Sequence, residues 1–205
     1  KFVKPIDLIV GSVQTAWVPY KFNIHKTETN PSNLFRLISG NYWISLILLW
    51  GISCILFPFI FKSLINIRYH SGLNYFPYLA FIPISRAFYW MVSTGIELKK
   101  SQSILPIATF FGLISIVFVS SLTINFYFPY GAIIASNISL YIMSAIIYSY
   151  ARKIIVINYP FILITIYLLL NIFLIAISYG LELSFLNSIP LIVIDIILFI
   201  IVINF

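Results

Sequence analysis

The chain has 205 residues, of which 61% are hydrophobic and 8% are charged, and its formal net charge is +7. An ordinary soluble domain is about 45–50% apolar and about 25% charged, so a core of this size could not bury so much isoleucine and phenylalanine. The composition therefore excludes an ordinary water-soluble domain and predicts an all-α fold, a polytopic transmembrane helical bundle.

The basic residues mostly flank the apolar runs of the sequence. Lysines and arginines in this position set the orientation of a membrane protein and attract anionic lipid headgroups. We therefore expect membrane lipids and other integral membrane subunits as partners, and we expect no nucleic acid.

The first forty residues differ in character from the rest. Between residues 5 and 18, apolar side chains recur at helical spacing opposite polar ones, which predicts a short amphipathic helix that Pro19 stops. We expect this helix to lie in the membrane interface, and the alternative is an irregular segment packed on a partner protein. The basic residues expected near the headgroups are Lys1, Lys4 and Lys21.

Six later stretches are long and apolar enough to cross a bilayer, which takes roughly 20 residues. The predicted spans are residues 43–61, 74–96, 104–126, 131–151, 156–179 and 183–205. Residues 30–33 predict a helix start and a second interfacial turn before the first span. The predicted organisation is a cytoplasmic-side interfacial segment, residues 1–40, followed by a six-helix transmembrane domain, residues 41–205.

The basic residues also predict which side each loop faces. Nine of the 12 lysines and arginines precede the first span or follow the second or fourth span, whereas Lys62 and Arg68 occupy the opposite loops. Because cytoplasmic loops are enriched in lysine and arginine, both termini are expected on the cytoplasmic side, or on its organellar equivalent. The predicted location is a cell membrane or an organellar inner membrane that the chain crosses several times.

Two charged residues lie deep within predicted spans. Arg86 is ~20 Å into the second span, and Asp195 is ~18 Å into the sixth span if that span begins near residue 183. A central arginine costs roughly 2.5–3.5 kcal/mol and should face protein or a wet cavity. We predict an intramembrane ion pair between Arg86 and Asp195. A sixth span that starts at Pro190 would instead place Asp195 near the outer surface.

The fourth span carries small residues at four-residue spacing, a pattern that favours close helix packing. The candidate packing residues are Ala132, Ser136, Asn137 and Ser144. A polar lining for a permeation path is the alternative for this stripe.

Basic pairs follow the second and fourth spans and are candidate contacts for lipid headgroups. They are Lys99, Lys100, Arg152 and Lys153.

Cofactor and catalytic motifs are missing from the sequence. His25 and His70 lie on opposite predicted sides, and Cys54 is the single cysteine, so we expect no haem, copper, iron–sulfur cluster or other metal. The sequence has no P-loop, nucleophile elbow or dinucleotide-binding fingerprint. We therefore expect no cofactor and no catalytic site of the chain's own.

One short fragment resembles a known family. Residues 20–27, Tyr-Lys-Phe-Asn-Ile-His-Lys-Thr, resemble the basic-aromatic loop that precedes the last membrane helices of processive glycosyltransferases. The resemblance covers these residues alone, its spacing differs, and the sequence has no nucleotide-sugar domain with its aspartates. It implies one alternative function, the membrane module of a lipid-linked transferase.

The expected function is that of a non-catalytic subunit of a larger membrane complex, with a structural, lipid-holding or cavity-shaping role. An energy-transducing complex is one natural setting for such a chain. The other alternative is a small transporter or channel subunit. In that case Arg86 would contact an anion or a carboxylate and Asp195 would couple the movement of a proton.

Overall fold

The computed structural model describes residues 3–181 and 185–204, and these residues form eight α-helices, one 3-10 helix and no β-strand. The helices are α1 (Lys4–Thr27), α2 (Pro31–Leu64), α3 (Phe76–Val92), α4 (Thr94–Leu98), α5 (Ile104–Tyr127), α6 (Tyr130–Ile154), α7 (Phe161–Gly180) and α8 (Phe185–Ile203). The 3-10 helix covers Ile67–Tyr75. The predicted all-helical fold is confirmed. Lys1 and the predicted start of the sixth span at residue 183 lie outside the described residues.

Four helices within these described ranges are long and apolar enough to cross a membrane. They are α2, α6, α7 and the Ile104–Thr123 part of α5. Two predicted spans correspond to helices outside this set, namely α3, which has 17 residues, and α8, which has 19 residues. The chain is thus a membrane protein with four candidate spans, and the predicted number of six is not confirmed.

The N-terminal helix is longer than the sequence pattern predicts. Pro19 lies inside α1, which continues to Thr27, so the predicted stop at this residue is wrong. A proline in a helix removes one backbone hydrogen bond. Here Trp17, Lys21 and Ile24 are buried along one face on both sides of Pro19, and this burial keeps the chain helical.

Two further boundaries differ from the predicted ones. α2 starts at Pro31, close to the predicted helix start, and runs without a break to Leu64, so the predicted interfacial turn and the first span are one helix. The second predicted span is divided at Ser93 into α3 and α4. α8 begins at Phe185 and contains Pro190, so a start of the sixth span at this proline is wrong.

The chain divides into two compact units, and each unit consists of two chain segments. The first unit comprises Lys1–Leu37 and Tyr78–Asn158, and the second comprises Ile38–Pro77 and Tyr159–Phe205. The boundaries fall within α2, within α3 and before α7. The first unit therefore contains α1, most of α3, and α4 to α6, while the second contains most of α2 with α7 and α8.

In the first unit, α5 and α6 pack as a helical hairpin. The Ser139 hydroxyl of α6 donates a hydrogen bond to the Gly112 carbonyl of α5 over 2.8 Å. A Cβ atom added at Gly112 would lie 2.6 Å from Met143, and one added at Gly131 would overlap Thr123. The two glycines therefore permit the close approach of the two helices.

In the second unit, α2 contacts both the start of α3 and the start of α7. The ring of Phe57 stacks on Phe76 with 3.5 Å between the ring centroids, and the Trp50 indole donates to the Pro77 carbonyl over 2.9 Å. A Cβ atom at Gly40 would lie 2.9 Å from Pro160. These contacts hold α2 in place beside α7 and α8, where it forms part of a buried polar site.

Candidate functional site

Arg86 of α3 forms an ion pair with Asp7 of α1. Arg86 Nη1 donates to Asp7 Oδ1 over 2.7 Å, and the two side chains are 40% and 45% exposed. The sequence pattern assigns Asp7 to the polar face of an amphipathic helix, and nothing in the sequence shows that this face lies against α3. The partner of Arg86 was therefore not predictable from its depth alone.

A second ion pair joins Lys21 of α1 to Glu97 of α4. Lys21 is only 1% exposed, and the Ser93 hydroxyl lies 2.6 Å from Glu97 Oε1. A lysine is rarely buried to this extent without an opposite charge. The ammonium group of Lys21 is thus inside the protein, and the expectation that Lys21 lies near lipid headgroups is not confirmed.

The two ion pairs define the direction of α1. Asp7 contacts Arg86, and Lys21, later in α1, contacts Glu97, later in the chain than Arg86. The paired residues therefore follow the same order along α1 as along α3 and α4. Within the first unit, α1 consequently runs parallel to α3 and α4. A helix that lay flat in the membrane plane would touch an upright helix at one place only. The predicted interfacial position of α1 is not confirmed.

The end of α4 and the end of α6 lie together in the first unit. A Cβ atom at Gly95 would lie 3.3 Å from the Ala151 carbonyl, and the hydroxyl groups of Ser101 and Tyr150 are 3.3 Å apart. The exposed basic residues next to these contacts, which we call the basic end, are Lys99, Lys100, Arg152 and Lys153. Their contact with lipid headgroups stays a prediction.

Asn137 is the member of the α6 stripe that bonds to a different helix. The Ser85 hydroxyl donates to Asn137 Oδ1 over 2.8 Å, and Asn137 Nδ2 donates to the Tyr78 carbonyl over 3.3 Å. The hydroxyl groups of Ser136 and Ser144 instead donate to carbonyl groups of α6 itself. The packing role of the whole stripe stays a prediction.

Asp195 of α8 lies in a buried polar cluster of the second unit. The Tyr167 hydroxyl of α7 donates to Asp195 Oδ1 over 2.8 Å. Asn171 lies one helical turn after Tyr167 and donates its amide to the Tyr167 carbonyl over 3.2 Å. All three residues are 0% exposed. Asp195 lies ~15 Å along α8 from Phe185.

Two oxygen atoms of this cluster have no hydrogen-bond partner. They are Asp195 Oδ2 and Asn171 Oδ1. Both lie against Gly51 of α2, where an added Cβ atom would overlap Asn171 Oδ1 and lie 2.7 Å from Asp195 Oδ2. We call Gly51, Tyr167, Asn171 and Asp195 the buried carboxyl site. Asn171 looks isolated in the sequence, and only the packing of α7 on α8 and α2 reveals its neighbours.

Arg86 and Asp195 belong to different units. Each side chain is engaged within its own unit, Arg86 by Asp7 and Asp195 by Tyr167. The predicted ion pair between Arg86 and Asp195 stays a prediction.

Metal-ligating side chains are dispersed over residues 3–181 and 185–204. In those ranges, no group of three His, Cys, Asp or Glu side chains is placed so that it could hold a metal ion.

Residues 20–27, which resemble a glycosyltransferase loop, form the last turns of α1. The local structure therefore differs from the loop that they resemble.

The fold and these sites define an all-helical membrane protein in which two ion pairs, Asp7–Arg86 and Lys21–Glu97, join helices of the first unit. Comparisons with protein-family models, with curated proteins and with solved structures find no match to this chain.

The Arg86–Asp7 contact can be tested by charge reversal. We expect Arg86→Asp to lower stability by about 1 kcal/mol or more, because it replaces an ion pair of partly exposed groups with two like charges. We expect Asp7→Arg in the same chain to restore most of the loss. Thermal unfolding of the purified protein in detergent measures both effects. Rescue by Asp195→Arg, without rescue by Asp7→Arg, would show that Asp195 is the partner instead.

The hydrogen bond within the buried carboxyl site can be tested with two tyrosines of α7. We expect Tyr167→Phe to lower the free energy of unfolding by about 1–2 kcal/mol, because Asp195 loses its hydroxyl donor. Tyr179→Phe is the matched control, since the Tyr179 hydroxyl is buried without a partner and its removal should be neutral or stabilising. Equal destabilisation by both changes would contradict the assigned hydrogen bond.

Proposed function

We propose that this chain is a non-catalytic component of a larger integral membrane assembly, in which it packs against partner subunits and lipids. One observation carries the proposal. The charged residues Arg86 and Lys21 are each bonded to a carboxylate of the same chain, and both ion pairs hold α1 against α3 and α4. Charges that are used in this way join helices and are not available to a substrate.

The surface of α5 supports the same proposal. Only 17% of its candidate span, Ile104–Thr123, is buried within the chain. Large apolar side chains such as Phe110, Val117 and Phe118 are exposed on it. Apolar surface of this extent needs lipid or another membrane subunit around it. A chain that presents such a helix is suited to a place inside an assembly.

We also propose that six spans follow α1. They are formed by α2, α3 with α4, α5, α6, α7 and α8. The short helices can cross because the bilayer thins locally at modest cost. The basic end, with Lys99 and Arg152, would face the cytoplasm or its equivalent, since positive residues are retained on that side. An even number of spans after residue 31 places the C-terminal residues on this side as well.

The placement of α1 has two alternatives. Its parallel contacts with α3 and α4 support an upright position, in which Lys4 points away from the basic end. The amphipathic sequence pattern supports the position in the membrane plane, in which Lys4 and both termini lie on the cytoplasmic side. We favour the upright position because the two ion pairs align α1 with α3 and α4.

A second candidate function is a small carrier or channel subunit. The observation that favours it is the buried carboxyl site, because an ionisable residue inside a span is often part of an ion or proton pathway. Arg86 is engaged by Asp7, so Asp195 would be the residue that carries this function.

The membrane arrangement can be tested by cysteine labelling. Cys54 is the single native cysteine, so Cys54→Ala provides a cysteine-free background. We expect Lys100→Cys and Lys153→Cys to react with an impermeant maleimide from the same side of oriented vesicles, and Arg68→Cys from the opposite side. Reaction of Lys100→Cys and Lys153→Cys from opposite sides would contradict the arrangement. Reaction of Lys4→Cys from the opposite side to Lys100→Cys would support the upright α1.

The subunit proposal can be tested by purification from the native membrane followed by native mass spectrometry. We expect a fixed stoichiometry with one or more other integral membrane proteins, because apolar faces such as that of α5 would be covered by them. Purified protein in liposomes without partners is the control and should show no solute flux. An isolated monomer or homodimer that transports a solute would overturn the proposal in favour of the carrier.

A further inference from the structure

Among the described residues, Tyr167 is the side chain that donates to Asp195 with hydrogen-bond geometry, and Asp195 forms no ion pair with a basic residue. Tyr167 donates to Oδ1, whereas Oδ2 is buried without a donor. The ion pairs found in the described ranges, Lys21–Glu97 and Arg86–Asp7, do not include Asp195. An ionised carboxylate that is fully buried without a positive neighbour is very unfavourable in an apolar interior.

The second unpartnered oxygen, Asn171 Oδ1, indicates where a hydrogen atom is needed. Asn171 Oδ1 lies against the same glycine, Gly51, as Asp195 Oδ2. Two acceptor oxygens that converge on one place repel each other unless a hydrogen atom or a cation lies between them. Rotation of the Asn171 amide does not solve this, because its oxygen would then face the Tyr167 carbonyl that its nitrogen now contacts at 3.2 Å.

The available space favours a proton over a larger ion. A single Cβ atom at Gly51 would already overlap Asn171 Oδ1, so α2 closes this side of the site. Tyr167 contributes a donor hydroxyl and is the titratable side chain that bonds to Asp195. A sodium ion would need about five or six oxygen ligands at hard-ion distances, whereas a shared hydrogen needs only these two oxygens.

We propose that Asp195 and Asn171 bind one proton between them, so that the buried carboxyl site is an intramembrane proton-binding site. Oδ2 of the Asp195 carboxylate takes one proton from a hydronium ion of the solvent, which leaves water, and the resulting O–H group donates to Asn171 Oδ1. Tyr167 continues to donate to Oδ1. In this state Oδ1 and Oδ2 of Asp195 and Oδ1 of Asn171 each have a hydrogen-bond partner. The site then carries no net charge.

This inference rests on the proposed membrane placement of α7 and α8, and it is independent of whether the chain is a subunit or a carrier. Labelling and mass spectrometry test those proposals, whereas the proton is detected by a vibrational signal. The outcomes can therefore be separated.

Infrared spectroscopy of the purified protein in lipid nanodiscs tests the proposal. At about pH 7, where a solvated aspartate is fully ionised, we expect the carbonyl stretch of a protonated carboxylic acid. We expect Asp195→Asn to abolish this band, and Asp7→Asn, which changes a half-exposed paired aspartate, to leave it unchanged. We expect Asn171→Ala to shift the band to higher frequency, because the Asp195 acid group loses the Asn171 oxygen as its hydrogen-bond acceptor. If Asp195→Asn does not fold, this shift assigns the band to Asp195.

Three results would overturn the assignment. The band could be missing from the unmodified protein, or it could persist unchanged in both Asp195→Asn and Asn171→Ala. The third is loss of the band when sodium replaces a bulky organic cation in the buffer, which would identify an exchangeable alkali-ion site instead.

Discussion

A charged or polar side chain in hydrocarbon has no water to bond, so the protein itself has to supply its partner. The buried ammonium group of Lys21 is the clearest instance among the described residues, because its ion pair with Glu97 compensates the cost of its burial. This pair ties α1 to α4, and the Asp7–Arg86 pair then fixes the direction in which α1 runs. The position of α1 in the first unit follows from these two contacts.

Glycine has a related role in both units, because it determines where polar groups on neighbouring helices can meet. Gly112 allows the Ser139 hydroxyl to reach a backbone carbonyl of α5. Gly51 allows Asn171 and Asp195 to approach the backbone of α2. In each case a small residue brings a polar side chain of one helix to the surface of another, so close packing and polar bonding occur at the same place.

The sequence was most informative where an apolar run is bounded by charged residues or proline. The predicted spans 104–126 and 131–151 differ from α5 and α6 by only a few residues at their ends. Pro19 misled the prediction because the end of a helix depends on what its next turns bury, and burial cannot be read from local sequence. The division at Ser93 also has no signal in the hydropathy pattern.

The candidate site was predicted in part, for a physical reason. Depth along a helix follows from the rise per residue, so the sequence identified Arg86 and Asp195 as unusual charged residues deep within predicted spans. Depth does not reveal which helix lies alongside, and one residue can have several neighbours at the same depth. The contacts of Arg86 with Asp7 and of Asp195 with Tyr167 depend on lateral packing. A single sequence contains no record of that packing.

The alternation of the two units along the chain has a consequence for synthesis. The ribosome completes α1 before it has made Arg86 or Glu97, and the residues between them belong mainly to the other unit. Nascent α1 therefore leaves the exit tunnel with Asp7 and Lys21 unmatched, a state prone to misfolding and aggregation. The two ion pairs of α1 can therefore form only after α3 and α4 have been made, late in the synthesis of the first unit.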